Sequence, residues 1–408
     1  MPRATPLLTL LLAGALSGCA GDGAGSTDDT GAGSTATATT AATTGDASTA
    51  AGTGAATSTT TAAESTSSAA TTSTTSTTST TAASSTTGDA TTTTTSTSTS
   101  GGLDESVVKL PQPCEAPPIG ATRCEVHEVT CGGLPPAIVE LAIYEATQGV
   151  PPRGTVVFGS GSAGAGFYAF SRAAMLRAAG FTLVDRRWPD GWFTGADDGP
   201  QEAACRLAAL LRHLRAEPVA EGPLCATGNS GGSVELAYAI TWQGAGDALD
   251  FALPSSGPLH RLDLACQGAS DPAWVKECAA LRLANCPNCA SKTCELGPGP
   301  QALIDIAFGG APRCSAPGPG DLPLLADRSP ILGADVPNLG ALPIHMLIGV
   351  LDPGPYAPLA IALRDALVDA GAAAEVAFVA GAAHDLDASA PGAAAIHDAL
   401  LAECVPLP

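Results

Sequence analysis

The chain has 408 residues, 39 of them acidic and 18 basic, for a formal net charge of −21. No basic stripe offsets that balance, so a nucleic-acid partner is excluded and the acidity reads as a solubility feature. At 45% hydrophobic residues the chain can still bury a sizeable core.

Residues 1–19 read as an export signal. Arg3 supplies the positive start and Leu7 to Leu16 a short apolar run, too short to span a bilayer stably. The run ends in Leu16-Ser17-Gly18-Cys19, which resembles the bacterial lipobox, where the cysteine is acylated and becomes the mature N-terminus. A membrane is therefore the expected partner of Cys19, with an ordinary cleaved signal peptide as the alternative. Ala20 differs from the aspartate that marks inner-membrane retention in enteric bacteria, which points to the outer membrane or the cell surface. Residues 20–102 are almost wholly Thr, Ser, Ala and Gly, with too little apolar surface to offset the entropy of ordering. They read as a disordered tether with a reach on the order of 50 Å.

Residues 103–408 form the folded part, with 33 acidic and 17 basic residues and a net charge of −16 once six tether acids and Arg3 are set aside. Apart from Cys19, twelve of the 13 cysteines remain, an even number that suits six disulfides in an oxidising compartment. Six crowd one segment: Cys266, Cys278, Cys286, Cys289, Cys294 and Cys314. Cys286-Pro-Asn-Cys289 has the spacing of half a zinc site or a redox pair, but His260 is the single histidine nearby, which favours disulfides over metal.

The pattern then alternates. Glu125 to Cys131 and Ala137 to Tyr144 read as a hairpin turning through Gly132-Gly133. Thr155 to Phe158 is a short strand, followed by a glycine-rich loop, a helix through Met175 and a strand from Phe181 to Val184. Trp188 and Trp192 follow that strand as candidate pocket residues, or as packing beneath a surface loop. Leu207, Leu210, Leu211 and Leu214 make one helical face. A strand from Leu224 runs into Gly228-Asn229-Ser230-Gly231-Gly232, and Phe251 to Leu253 forms the next. An insertion spans about 257–335, after which come a strand Ile344 to Val350, a helix near Leu359 to Leu367, a strand Val376 to Val379 and a helix around Ala393 to Leu401. Such alternation implies a mainly parallel α/β sheet covered by helices.

Ligands of such sheets sit beyond the carboxyl ends of the strands, and three residues there carry one chemistry. Ser230 lies between Gly228 and Gly232 in G-x-S-x-G, where a sharp strand-to-helix turn leaves no room for a Cβ on either flank. A serine hydroxyl needs a base, and His384 follows the strand ending at Val379; the base needs an orienting carboxylate, and Asp352 follows the strand ending at Val350. Asp352-Pro353-Gly354 also has the composition of a plain turn, with Asp335 and Asp263 as weaker acids, while His345 and His397 lie inside a strand and a helix. Gly231 offers a free amide at a helix start for an oxyanion, and Asn229 is a candidate pocket residue.

The order Ser, Asp, His and the long insertion resemble the α/β-hydrolase family over residues 123–408. The resemblance implies Ser230 as nucleophile, Asp352 as orienting acid, His384 as base, the insertion as a cap, and a second oxyanion amide from the loop after Phe158, at Ser162 or Gly161. The family usually has histidine where this chain has Ser160. The expected activity is acyl transfer to water from a small or polymeric ester, with no metal or organic cofactor; a peptidase is the runner-up and a non-catalytic display module a further alternative. A rival reading takes Gly159-x-Gly161-x-x-Gly164, with Asp185 beyond it, as a dinucleotide fingerprint.

Overall fold

The computed structural model describes residues 105–330, 339 and 342–406. The export signal, Cys19, the whole of the tether and Asp335 lie outside the described residues. Strands β1 (Ser106–Leu110), β2 (Arg123–Thr130) and β3 (Ala137–Tyr144) form an antiparallel meander. Then β4 (Gly154–Gly159), helix α1 (Ala173–Ala178), β5 (Phe181–Arg187), α2 (Pro200–Ala203), α3 (Cys205–Ala216), β6 (Leu224–Asn229), α4 (Gly231–Thr241) and β7 (Phe251–Ser255) follow. The insertion supplies α5 (Leu262–Gln267), α6 (Pro272–Asn285), α7 (Pro298–Ala307) and α8 (Asp321–Asp327). The chain returns through β8 (Pro343–Gly349), α9 (Tyr356–Asp369), β9 (Ala373–Val379) and α10 (Ala390–Glu403).

All nine strands share one sheet in the order β1-β2-β3-β5-β4-β6-β7-β8-β9. From β5 to β9 the neighbours are parallel, giving a mainly parallel α/β sheet with an antiparallel margin. The chain steps from β4 outward to β5 and then back across β4 to β6, so the order reverses at β4 and β6. A crevice opens at the carboxyl ends where an α/β sheet reverses in this way. Register aligns those ends: Gly159 pairs with Gly228, Asn229 with Ser255 and Gly349 with Val379. Residues just past β4, β6, β8 and β9 therefore share one edge.

Every residue of β4, β6 and β7 is buried, which is why each reads as a continuous apolar run. Successive side chains alternate faces: Val157 joins the core beneath α3, α4 and α9, and Val156 and Phe158 join the core beneath α1 and α10. The α3 stripe Leu207, Leu210, Leu211 and Leu214 is buried as its spacing predicts.

Six disulfides join the twelve described cysteines. Cys114–Cys124 and Cys131–Cys205 tie down the antiparallel margin, and Cys225–Cys404 fastens β6 to the end of α10. The insertion holds Cys266–Cys314, Cys278–Cys294 and Cys286–Cys289, so the Cys-x-x-Cys pair is bonded to itself. Disulfides on this scale fit an exported protein. No described helix is long and apolar enough to cross a membrane.

Candidate active site

The turn between β6 and α4 is built by close backbone approach. Ser230 adopts φ 51° and ψ −116°, a region that a residue with a side chain occupies only under compulsion. A Cβ on Gly228 would lie 2.4 Å from the Gly232 carbonyl oxygen, and one on Gly232 would lie 2.5 Å from that of Ser160. Both positions therefore require glycine. The turn is pinned by the Ser230 amide donating to Ser255 O at 2.9 Å and by the Ser233 hydroxyl donating to Ser230 O at 2.8 Å. Gly257 abuts it as well, since a Cβ there would stand 2.6 Å from the Ser230 Cα. No sequence pattern marked Gly257, because its neighbour is distant in the chain.

The strand ends bring the three chemically apt side chains together. His384 Nε2 lies 2.9 Å from Ser230 Oγ, and His384 Nδ1 lies 2.8 Å from Asp352 Oδ2. With Nδ1 protonated and donating to the carboxylate, Nε2 is left to accept from the serine hydroxyl. Asp352 is buried, and its other oxygen accepts the Gly354 amide at 2.9 Å. The turn and the carboxylate contact to His384 are thus two uses of one side chain. Gly349 permits the histidine loop to reach β8: a Cβ there would meet the Ala383 and Ala382 carbonyls at 2.3 and 2.5 Å. The Tyr356 ring packs 4.6 Å from the His384 ring, and burial, with Asp352 nearby, pushes its phenol up to about 12. Tyr356 was not singled out from sequence.

The other candidates are engaged elsewhere. Asp263 pairs with Arg261 on the insertion, His345 with Glu375 and His397 with Asp398.

The loop after β4 packs directly on the start of α4. Ser162 has φ 54°, and a Cβ on Gly231 would collide with the Ser162 carbonyl oxygen at 1.8 Å and lie 3.0 Å from the Ser162 nitrogen. Gly161 is equally near, 3.3 Å separating the position of its missing Cβ from Ser230 Cβ. Among the described residues no acceptor takes the amide of Gly231 or of Ser162. Two unpaired amides beside a serine suit an anion on that side. Ser160 donates its hydroxyl to Gly166 O at 2.5 Å and so closes the loop on itself.

Two sequence expectations are corrected here. Trp188 and Trp192 do not line the cleft: both are buried beneath the loop, meeting Gly164 from below. The Trp188 indole donates to Glu235 Oε1 at 3.0 Å, and Glu235 Oε2 pairs with Arg186 at 2.7 Å, all three within the core. Glu235 escaped notice, although a lone carboxylate in the otherwise apolar stretch of α4 was a visible signal. The glycine loop also fails as a dinucleotide site, since no helix starts until Ala173 and Asp185 is buried, accepting the Tyr168 and Ala169 amides at 2.9 Å each. Burial pushes the Asp185 carboxyl up to about 6. Among the described residues no group of three or more His, Cys, Asp or Glu is placed to hold a metal ion.

Next to the turn that carries Ser230 lies a cleft of about 520 Å³, bordered by the loop 160–168, Leu303 from α7, Asp387, and Asn229 and Asp385, the chain neighbours of Ser230 and His384, which do not themselves line it. Asn229 lines the cleft.

No family model matches the chain, and no curated protein matches it. Solved structures do resemble it. An acylaminoacyl peptidase from Pyrococcus horikoshii is 13% identical over 75% of this chain and 42% of its own, with a TM-score of 0.43. A puromycin-hydrolyzing peptidase from Mycobacterium tuberculosis is 15% identical over 71% of this chain and 40% of its own, with a TM-score of 0.43. An esterase from Thermogutta terrifontis is 14% identical over 66% of this chain and 92% of its own, with a TM-score of 0.39. The chain therefore spans less than half the length of the peptidases it resembles.

Proposed function

We propose that the protein is an exported serine hydrolase that acts through an acyl-enzyme, with carboxylic esters as its substrates. The observation that carries this reading is the continuous hydrogen-bonded line from Ser230 Oγ through His384 to Asp352, on a serine held at positive φ. In the proposed reaction Ser230 Oγ bonds to the carbonyl carbon as its proton passes to His384 Nε2. The oxyanion rests on the Gly231 and Ser162 amides. When the tetrahedral intermediate collapses, His384 gives its proton to the departing alkoxide. Water then repeats the sequence on the acyl-enzyme, releasing the acid and restoring Ser230. Esters are favoured over peptides because an alkoxide departs with less assistance than an amine; a peptidase with the same residues is the second reading.

Residues 1–19 as a lipoprotein signal, Cys19 as the acylated residue and 20–102 as the tether complete the proposal, placing the domain of residues 103–408 at the outer membrane or cell surface. The six disulfides support export.

The test is labelling of the oxidised protein with a fluorophosphonate, followed by mass spectrometry. An adduct on Ser230 that disappears in His384→Ala is expected. Absence of labelling in folded protein would overturn the reading in favour of a display module. Ester turnover should fall by about 10⁴-fold or more in Ser230→Ala.

A further inference from the structure

The cleft next to the turn that carries Ser230 contains polar groups for which acyl transfer itself has no use. At its inner end Asn229 is only 8% exposed, and its Oδ1 is buried with no hydrogen-bond partner. The hydroxyl of Tyr168, which also lines the cleft, is buried without a partner, its ring fixed by stacking on Phe158 and Phe170. Folded proteins seldom leave buried polar groups unpaired, and both of these belong to residues lining the one cleft, where a bound molecule would complete them.

The outer end is acidic. Asp387 is occupied, accepting the Ser171 amide at 2.8 Å and the Ser171 hydroxyl at 2.5 Å. Asp385 is exposed, and no donor among the described residues meets its carboxylate. Among the described residues no lysine, arginine or histidine lines the cleft. Burial raises the Tyr168 phenol well above its usual value, and the Asp387 and Asp385 carboxylates raise it further.

We propose that this cleft is an ammonium subsite, and that the hydrolase prefers substrates carrying a primary amine a few bonds from the reacting carbonyl. The proposal rests on Ser230 being the nucleophile. An alkylammonium brings three N–H donors and a positive charge. Asn229 Oδ1, the Tyr168 oxygen and the Asp385 carboxylate are three acceptors, one of them anionic. A neutral chain in the same place leaves Asn229 and Tyr168 unpaired, and an anionic one meets like charge.

The test uses the full chain and two alkyl phosphonofluoridates of equal length, one ending in ammonium and the other in methyl. Each is attacked by Ser230 Oγ, which displaces fluoride from phosphorus as its proton passes to His384. The chain on phosphorus takes whichever side faces the cleft, so the reading does not depend on whether acyl or leaving group lies there. The second-order labelling rates, located at Ser230 by mass spectrometry, give a ratio of ammonium to methyl probe. At low ionic strength the ratio is expected to be about tenfold, falling in about 0.5 M salt as the charge is screened. In Asp385→Asn it should drop to about twofold, and in Tyr168→Phe by about threefold. Asp385 adjoins His384, so its replacement alters reactivity toward both probes, and the ratio removes that common effect. Its exposure makes the substitution safe for folding. A wild-type ratio of one or less, or a ratio unmoved by both substitutions while Ser230 is labelled, would overturn the subsite and leave the hydrolase standing. Labelling by neither probe would overturn both.

Discussion

The turn around Ser230 and the insertion between β7 and β8 are held by opposite means. Around Ser230 no disulfide is needed at the reacting atoms: Gly228, Gly232 and Gly257 let backbone meet backbone, and β4, β6 and β7 are buried along their whole length. In the insertion the longest helix, α6, contributes only Trp274 and Cys278 to the interior, and three disulfides cross-link the segment. Steric closure fixes atoms to within tenths of an ångström and tolerates almost no substitution. Cross-links hold a segment in place while its surface stays free to vary. The reacting residues belong to the first region, and the insertion reaches the cleft through Leu303.

The sharpest way to break the contrast is one methyl group. Gly232→Ala places a Cβ 2.5 Å from the Ser160 carbonyl oxygen and 2.7 Å from that of Gly159, both backbone atoms that cannot swing aside. A loss of about 5 kcal/mol or more is expected in denaturant unfolding, together with loss of fluorophosphonate labelling. The disulfides rank next, by the loop each closes. Cys225–Cys404 spans 179 residues and Cys278–Cys294 spans 16, so replacing each pair by serine should cost about 5 and about 3 kcal/mol respectively. Loss of the first should speed hydrogen exchange in β6, and loss of the second should speed it only in the insertion. Equal effects on both regions would dissolve the distinction.

Much of the first region was legible because its rules are local. Glycines at two-residue distance from a serine, an aspartate and a histidine just past apolar runs, and a leucine stripe at helical spacing need only a strand-then-helix alternation to be placed. What stayed hidden depends on contacts between distant residues. The pairing of Cys131 with Cys205 and of Cys225 with Cys404 cannot be read from spacing. The Trp188 indole turns inward because Glu235, 47 residues on, is there to accept it. β1 was missed, since Ser106–Leu110 is a short edge strand with mostly exposed or half-buried side chains. Asp352 left turn and acid open as alternatives because sequence cannot show that its two oxygens face different partners.

Asp185 sharpens the comparison through pH. It stands beneath the loop that carries Ser162, and burial raises its carboxyl from 3.8 to about 6. The folded state therefore holds this proton more tightly than the unfolded chain does. Its contribution to stability is fully present below about pH 4 and is lost as pH rises through about 6. Relative to Asp185→Asn, the wild-type protein should lose about 2–3 kcal/mol between pH 4 and pH 7 in urea unfolding. A flat difference would mean that the two backbone donors hold the carboxylate ionised despite its burial.

The smallest effect tests the other side. Gly297, the N-cap of α7, has nothing within 4 Å of the place a Cβ would occupy and no side-chain cap, so the insertion has room where the turn around Ser230 has none. Gly297→Ser stiffens the unfolded chain and supplies a hydroxyl to cap the first turn, and its extended backbone suits a residue before Pro298, for an expected gain of about 0.5–1 kcal/mol. A rise in melting temperature with Ser230 labelling intact is the predicted result. α7 also carries Leu303 to the cleft, so the same substitution reads whether firmness in the insertion is transmitted to the site. If the labelling rate moves with the melting temperature, the insertion helps position the reacting groups; if stability alone changes, placing those atoms is left to the turn around Ser230.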